Sequence, residues 1–293
     1  MIFEPESPEG DRAYSPTTDE IEILKRISVV NRDNGIRFTE MTRLNVIAKM
    51  LEGTAYHLLN EEGLFHMYGK LPLESYENAL LLSTHVDCES NITRCFTKVQ
   101  DDGTLVGTFD NMLTNAAALT LMLRDELPDN VIVVFTGDEE ENSVGAIQAG
   151  RFLEDNDIDF MAIVLDVTDA GYGVADFTIE KTFWNKEIGK LVISVAKSLG
   201  DRWRFVPEED EPIPKYVPRS KVVAGDEEAS DESDTYDDLD IKCFSLCTPT
   251  SGDMHCDVGI NTRVDVFRAY IHAVNCMVKA CSTLELEDSD DDD

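Results

Sequence analysis

Five segments of this sequence place metal-binding or proton-handling side chains directly after an apolar run. His85-Val86-Asp87 closes the run NALLLST. An imidazole binds a divalent metal, and a carboxylate two residues on can hold its ring and fix its tautomer. Gly107-Thr108-Phe109-Asp110-Asn111 sets Asp110 just ahead of a helix. Phe135-Thr136-Gly137-Asp138-Glu139-Glu140-Glu141 follows VIVV. Consecutive carboxylates at the end of a buried strand are costly unless a cation or partner takes their charge. Two neighbouring Glu can also divide labour, one binding metal while the other handles protons. Asp166 ends FMAIVLD, with Asp169 as its substitute, and His255 lies in Gly252-Asp253-Met254-His255-Cys256-Asp257 after IKCFSLC.

Taken singly, each has a plainer reading: a structural His, a helix N-cap, a solvated acidic loop, a turn residue, a surface His. Together, two His, two Asp and a Glu are the N and O donors that zinc or a related divalent metal prefers. Their number suits two metal ions sharing a bridging carboxylate. The other histidines, His57 and His66 in hairpin strands and His272 in the last helix, read as structural or surface residues. Cys88 and Cys256 adjoin the proposed site, as thiolate ligands or as buried neutral thiols.

The elements that must position these residues are legible as patterns. A helix begins near Thr17 or Thr18 and runs to about Val30, with Ile21, Leu24 and Ile27 on its apolar stripe. A second fits Thr39–Leu51 and stops at Gly53. TAYHLL and LFHMYG flank NEEG as a hairpin. ITRCFTKV and TLVG flank Asp101-Asp102-Gly103 as another. NALLLSTH, VIVVFTG and FMAIVLDV are apolar enough for strands buried on both faces, and IKCFSLC is a late strand. Helices are predicted over Asn111–Arg124, Ser143–Leu153 and Asn185–Leu199, with a C-terminal helix striped by Val264, Phe267, Ile271, Val274, Val278 and Cys281. Residues 207–240, poor in apolar residues and rich in Pro and acids, read as a loop or insertion. Buried strands alternating with helices imply a three-layer α/β/α sandwich around a mostly parallel, mixed sheet, with its ligand crevice at the carboxyl ends of the strands.

Composition limits the partners. The net charge of −34 over 293 residues repels nucleic acid and anionic lipid, so neither is expected. The acidity reads as a solvated, aggregation-resistant surface or, more sharply, as adaptation to high salt. No apolar run approaches the ~20 residues of a membrane helix. An N-terminus without a basic and apolar leader, and seven scattered Cys without a CxxC pair, point to reduced thiols in a cytoplasm. Residues 1–16 read as a disordered acidic arm, 17–285 as one catalytic domain and 286–293 as a disordered acidic tail.

The order His-x-Asp, Asp-Asn, Glu-Glu, Asp, His resembles the co-catalytic zinc exopeptidases, with THVD, FDNMLTNAAAL and FTGDEEENSVGA the specific segments. The resemblance covers roughly residues 78–281. It implies that Asp110 bridges two metals, that His85 and Asp166 complete one site, and that Glu140 and His255 complete the other. Glu139 would be the general base and Asp87 the acid behind His85. A cis peptide is implied at Asp110–Asn111. The 25 residues from His85 to Asp110 are too few for the inserted domain of the tetrahedral aminopeptidases, and the 89 from Asp166 to His255 too few for the dimerisation domain of the desuccinylases. A single-domain aminopeptidase layout remains. Its substrates would be peptides with a free N-terminus, bound by Asp138, Glu141 or Asp169. A deacylase of small N-acyl amino acids and an inactive metal-binding relative are the alternatives.

Overall fold

The computed structural model describes residues 17–28, 32–33, 36–37, 39–90, 92–183, 186–208, 212–225 and 230–284. The expected acidic arm and tail, the end of the first helix at Val30 and the helix start at Asn185 lie outside them. Helix α1 (Glu20–Ile27) is capped by Asp19, not by Thr17 or Thr18. Asp19 Oδ1 accepts the amides of Ile21 at 3.1 Å and Glu22 at 2.9 Å. A carboxylate satisfies two orphan donors and suits the positive end of the helix. Strands β1 (Arg32–Asp33) and β2 (Ile36–Arg37) form a short ribbon that the sequence did not signal. Helix α2 (Thr39–Leu51) has the expected bounds. Strands β3 (His57–Asn60) and β4 (Phe65–Gly69) are the first hairpin.

Next come β5 (Asn78–His85), then β6 (Thr97–Val99) and β7 (Thr104–Gly107) as the second hairpin, α3 (Met112–Leu123), β8 (Val131–Thr136), α4 (Val144–Asp155) and β9 (Asp159–Thr168). Strands β10 (Phe177–Phe183) and β11 (Trp203–Val206) flank α5 (Lys186–Ser198). The segment 207–240, expected to be a loop or insertion, contains helix α6 (Glu232–Asp238), capped by Asp231 through the Ser233 amide at 2.8 Å. Strands β12 (Cys243–Pro249) and β13 (Ile260–Arg263) precede α7 (Val264–Cys281).

Eight strands form one sheet in the order β11-β10-β12-β9-β5-β8-β4-β3. Its centre, β12-β9-β5-β8, is all parallel. Strands β10, β4 and β3 run antiparallel to their inner neighbours. Alternate side chains feed two cores because strand residues point to opposite faces. Leu80, Leu82, Val133, Ile163 and Leu246 pack with residues of α1, α2, α3, α5 and α7. Leu81, Ile132, Val134 and Val164 pack with residues of α4 and α6. The architecture is therefore a three-layer α/β/α sandwich on a mixed, mostly parallel sheet.

A separate three-stranded sheet, β13-β7-β6, stands beside it. Here Ile260 pairs with Gly107, which joins the segment after β12 to the one that leads into Asp110. Among the described residues no helix is long and apolar enough to cross a membrane.

Candidate active site

The four parallel strands end on one side of the sheet, where open α/β sheets form their ligand crevice. His85 is the last residue of β5 and Asp166 lies near the end of β9. Glu139 and Glu140 follow β8 in a turn that starts with Asp138 at φ 66° and closes with Ser143 N donating to Asp138 O at 2.6 Å. Asp110 stands between β7 and α3, and the Asp110–Asn111 peptide is cis, as the resemblance implies. His255 lies on the loop between β12 and β13. Asp110, Glu139, Glu140, Asp166 and His255 border a cavity of about 920 Å³, which Glu141 and Asp169 also line.

His85 is the hub. Its Nε2 lies 3.2 Å from Asp110 Oδ1, 3.7 Å from Asp166 Oδ1 and 3.8 Å from Glu139 Oε2. On the far side of the ring, Nδ1 is 3.2 Å from Asp87 Oδ1, and Asp87 Oδ2 accepts the Glu140 amide at 3.2 Å. His255 Nε2 lies 3.4 Å from Asp110 Oδ2 and 3.5 Å from Glu140 Oε2. Asp110 thus faces both imidazoles, one with each oxygen. Three groups of donor atoms lie within 4.8 Å of one another: His85, Asp110 and Asp166; Asp110, Glu140 and His255; and His85, Glu139 and Glu140. Of the sequence candidates, Asp169 stands apart from these groups, as do Cys88 and Cys256. His66 is buried beside Tyr68 and His272 is exposed.

The donor set fits divalent metal on two counts. Legs of about 2.1 Å in tetrahedral coordination separate ligand atoms by about 3.4 Å, close to the spacings here. Glu140 Oε1 is buried and has no hydrogen-bond partner. The protonation balance agrees. Burial drives the Glu139 carboxyl up to about 10, with the charges of Asp166, Asp110 and Glu140 adding to the rise. Burial, then Asp110, pushes Glu140 up to about 8. Burial raises Asp166 to about 6. Burial alone would raise Asp110, but hydrogen bonds from His255 and His85 hold it below the usual carboxylate range. The Asp110 hydrogen bond lifts His255 to about 9. Four crowded carboxyls of this kind ionise together only when a cation shares the space.

Residues that sequence reasoning missed hold this set in place. Asn115 Nδ2 donates to His85 O at 2.6 Å, and Asn111 Nδ2 donates to Leu165 O at 2.7 Å, tying α3 to the ends of β5 and β9. Arg43, from α2, donates through Nη1 to Val86 O at 2.5 Å and Asp87 O at 2.9 Å. Glu232, from α6, accepts from Ser83 Oγ at 2.7 Å and from Thr136 Oγ1, bridging β5 and β8 one turn of pleat behind the site. Arg43 had a signal: it stands four residues before Ile47 and seven before Met50, on the apolar stripe of α2. Glu232 had none inside a run of acids.

No protein-family model and no curated protein matches the sequence. Solved structures do. The TET aminopeptidase of a marine-sediment Thaumarchaeota archaeon superposes at TM-score 0.67 and 12% identity, over 92% of this chain and 97% of its own. The fold is that of the TET aminopeptidases. The Pyrococcus horikoshii TET1 peptidase, which assembles into a tetrahedron or an octahedral shell, matches at TM-score 0.61 and 13% identity, over 89% of this chain and 99% of its own. A Thermotoga maritima protein described as an endoglucanase matches at TM-score 0.59 and 14% identity, over 87% and 96%. The short His85–Asp110 spacing had set the tetrahedral group aside. The described part of that stretch carries only β6 and β7, as its length requires, and the likeness to the TET structures is one of fold at 12–13% identity. Proteins with this fold are described by different activities, so the activity must be argued from the site.

Proposed function

We propose that this protein is a metal-dependent exopeptidase that removes N-terminal amino acids from peptides with water activated between two divalent ions, zinc being the ion its donors favour. The observation that carries the reading is the meeting of His85, Asp110, Glu140, Asp166 and His255, from five separate segments, with Glu139 inside the same cluster. His85 and Asp166 would hold one ion, Glu140 and His255 the other, with Asp110 between them. When bound, such ions polarise a scissile carbonyl and lower the pKa of bound water to ~7. Glu139 then takes the proton of the attacking water and returns it to the leaving amine. Asp87 keeps the Nδ1 proton of His85 in place, so that Nε2 stays a donor of electrons to the site. Glu141 and Asp169 line the cavity and would receive a free α-amine.

A glycosidase works with a pair of carboxyls and has no use for two imidazoles facing a shared carboxylate, which sets that activity aside. The test compares aminoacyl-nitroanilides with N-acyl amino acids and a β-glucan, with metal analysis before and after chelation. The expected result is bound zinc, cleavage of the aminoacyl substrates alone, and loss of turnover on chelation. Glu139→Gln should lower kcat by about 10² or more while the metal content holds. Turnover that survives chelation, or survives Glu139→Gln, sinks the reading.

A further inference from the structure

Arg43 is fully buried, yet among the described residues its guanidinium meets no carboxylate oxygen. Its acceptors are the carbonyls of Val86 and Asp87 and, through Nη2, Cys95 Sγ at 2.9 Å. A buried cation needs an anion, and the sulfur is the one side-chain acceptor it reaches. Cys88 lies near enough to Cys95 for the two thiols to act on each other, and that interaction together with burial pushes the Cys88 thiol up, so it stays protonated. All seven cysteines are free. Cys95 is half-buried, within reach of a small oxidant, whereas Cys88 is buried. The Cys88 thiol and the Arg43 charge bring the Cys95 thiol down to about 6, against the opposing effect of burial.

We infer that Cys95 is an oxidation-sensitive thiolate with Cys88 as its resolving partner, and that closing their disulfide loosens the turn that carries His85. The Cys95 thiolate attacks hydrogen peroxide; an S–O bond forms, the O–O bond breaks and hydroxide leaves. The Cys88 sulfur attacks the resulting sulfenic acid; an S–S bond forms, the S–O bond breaks, and the oxygen leaves as water with the Cys88 proton. The two thiols supply the two electrons that reduce the peroxide. A disulfide sulfur carries no charge, so Arg43 loses the sulfur anion beside it and keeps only the Asp87 charge while remaining buried. Arg43 is a positioning residue here. It holds the Val86 and Asp87 carbonyls, and the turn they belong to seats both His85 and the acid behind its ring. Oxidation is thereby linked to metal affinity, a consequence that rests on the metal site proposed above.

The experiment treats the zinc-loaded full chain with hydrogen peroxide, blocks remaining thiols and maps the peptides by mass spectrometry. Zinc retention is read in parallel by competition with a chelating indicator. The expected outcome is a Cys88–Cys95 disulfide, reversed by dithiothreitol, formed before any change at the partly exposed Cys256 and Cys276. Zinc affinity should fall about tenfold or more, the scale on which supports of metal ligands act. Cys88→Ser should leave Cys95 as a sulfenic acid that dimedone traps, and Cys95→Ser should leave Cys88 reduced. Oxidation at Cys256 or Cys276 ahead of Cys95 overturns the inference, as does a disulfide that leaves zinc affinity unchanged. The mass map needs no turnover. A protein that oxidises this way but cleaves no peptide refutes the proposed function and not the thiol pair.

Discussion

Glu232 and Glu140 are both carboxyls largely withheld from water, and their oxygens tell them apart. Both oxygens of Glu232 accept hydroxyl hydrogen bonds, from Ser83 and Thr136, which marks a structural group. Glu140 keeps a buried oxygen with no partner inside a cluster of metal-type donors, which marks a group built for a cation. Burial raises the Glu232 carboxyl from 4.5 to about 7, against the opposing pull of His85 and its hydroxyl partners. The folded chain therefore holds a proton there that the unfolded chain has already released. That contribution to stability is fully present below about pH 4.5 and is lost as pH rises through about 7. Glu232→Gln does not titrate and lacks this slope. In urea denaturation of the metal-free protein, its stability relative to the parent should rise between pH 5 and pH 8 by on the order of 3 kcal/mol. An unchanged difference between the two pH values would show that Glu232 stays ionised in the fold.

At the scale of elements, the second half of the site depends on a joint between β7 and β13. Gly259 has φ 78°, and a Cβ there would strike the carbonyl of Gly107 on the opposing strand. The close approach sets the loop that carries His255 against the strand that leads to Asp110. Gly259→Ala should cost about 1–3 kcal/mol in strain and clash. The sharper readout is metal stoichiometry: if the proposed two-ion site holds, bound zinc should fall from two ions per chain toward one, because the His255 side moves while His85, Asp110 and Asp166 stay. Retention of both ions would show that the loop finds its place without the joint. The sequence revealed the elements whose apolar runs are long and unmixed: β5, β8, β9 and β12, together with α2 and its bounds. These are the strands that end at the proposed ligands, so the candidate site was legible with them. It did not reveal β10, where FTIEKTF mixes charge with apolar residues, nor β11 and β13, four residues each. Helix α6 was hidden because ESDTYDD has a solvated composition, and only the fold shows Glu232, Ser233 and Tyr236 buried. Contacts between distant segments, such as Arg43 with the His85 turn, leave only a faint mark in sequence: one charged residue on an apolar stripe.

For the whole molecule the governing quantity is the net charge of −34, far beyond what the handful of acids in the candidate site explains. Like charge at this density favours expansion over the compact state. Salt screens it, since the Debye length falls from ~10 Å at 0.1 M to ~3 Å at 1 M. Two effects of added cations therefore have to be separated. On the proposed reading zinc acts at the Asp110 cluster, at micromolar amounts, and its effect should vanish when Asp110 is replaced. Potassium or sodium acts through screening, at molar amounts, and should be indifferent to Asp110. Raising KCl from 0.1 to 1 M is expected to lift Tm by roughly 4–8 °C, which corresponds to about 2 kcal/mol of relieved repulsion in a chain of this size. The same rise should appear in Asp110→Asn, whose zinc response is lost. A flat Tm across that range would mean that the carboxylates lie far enough apart in water to cost the fold little, leaving the acidity as a solubilising surface and removing the case for adaptation to high salt.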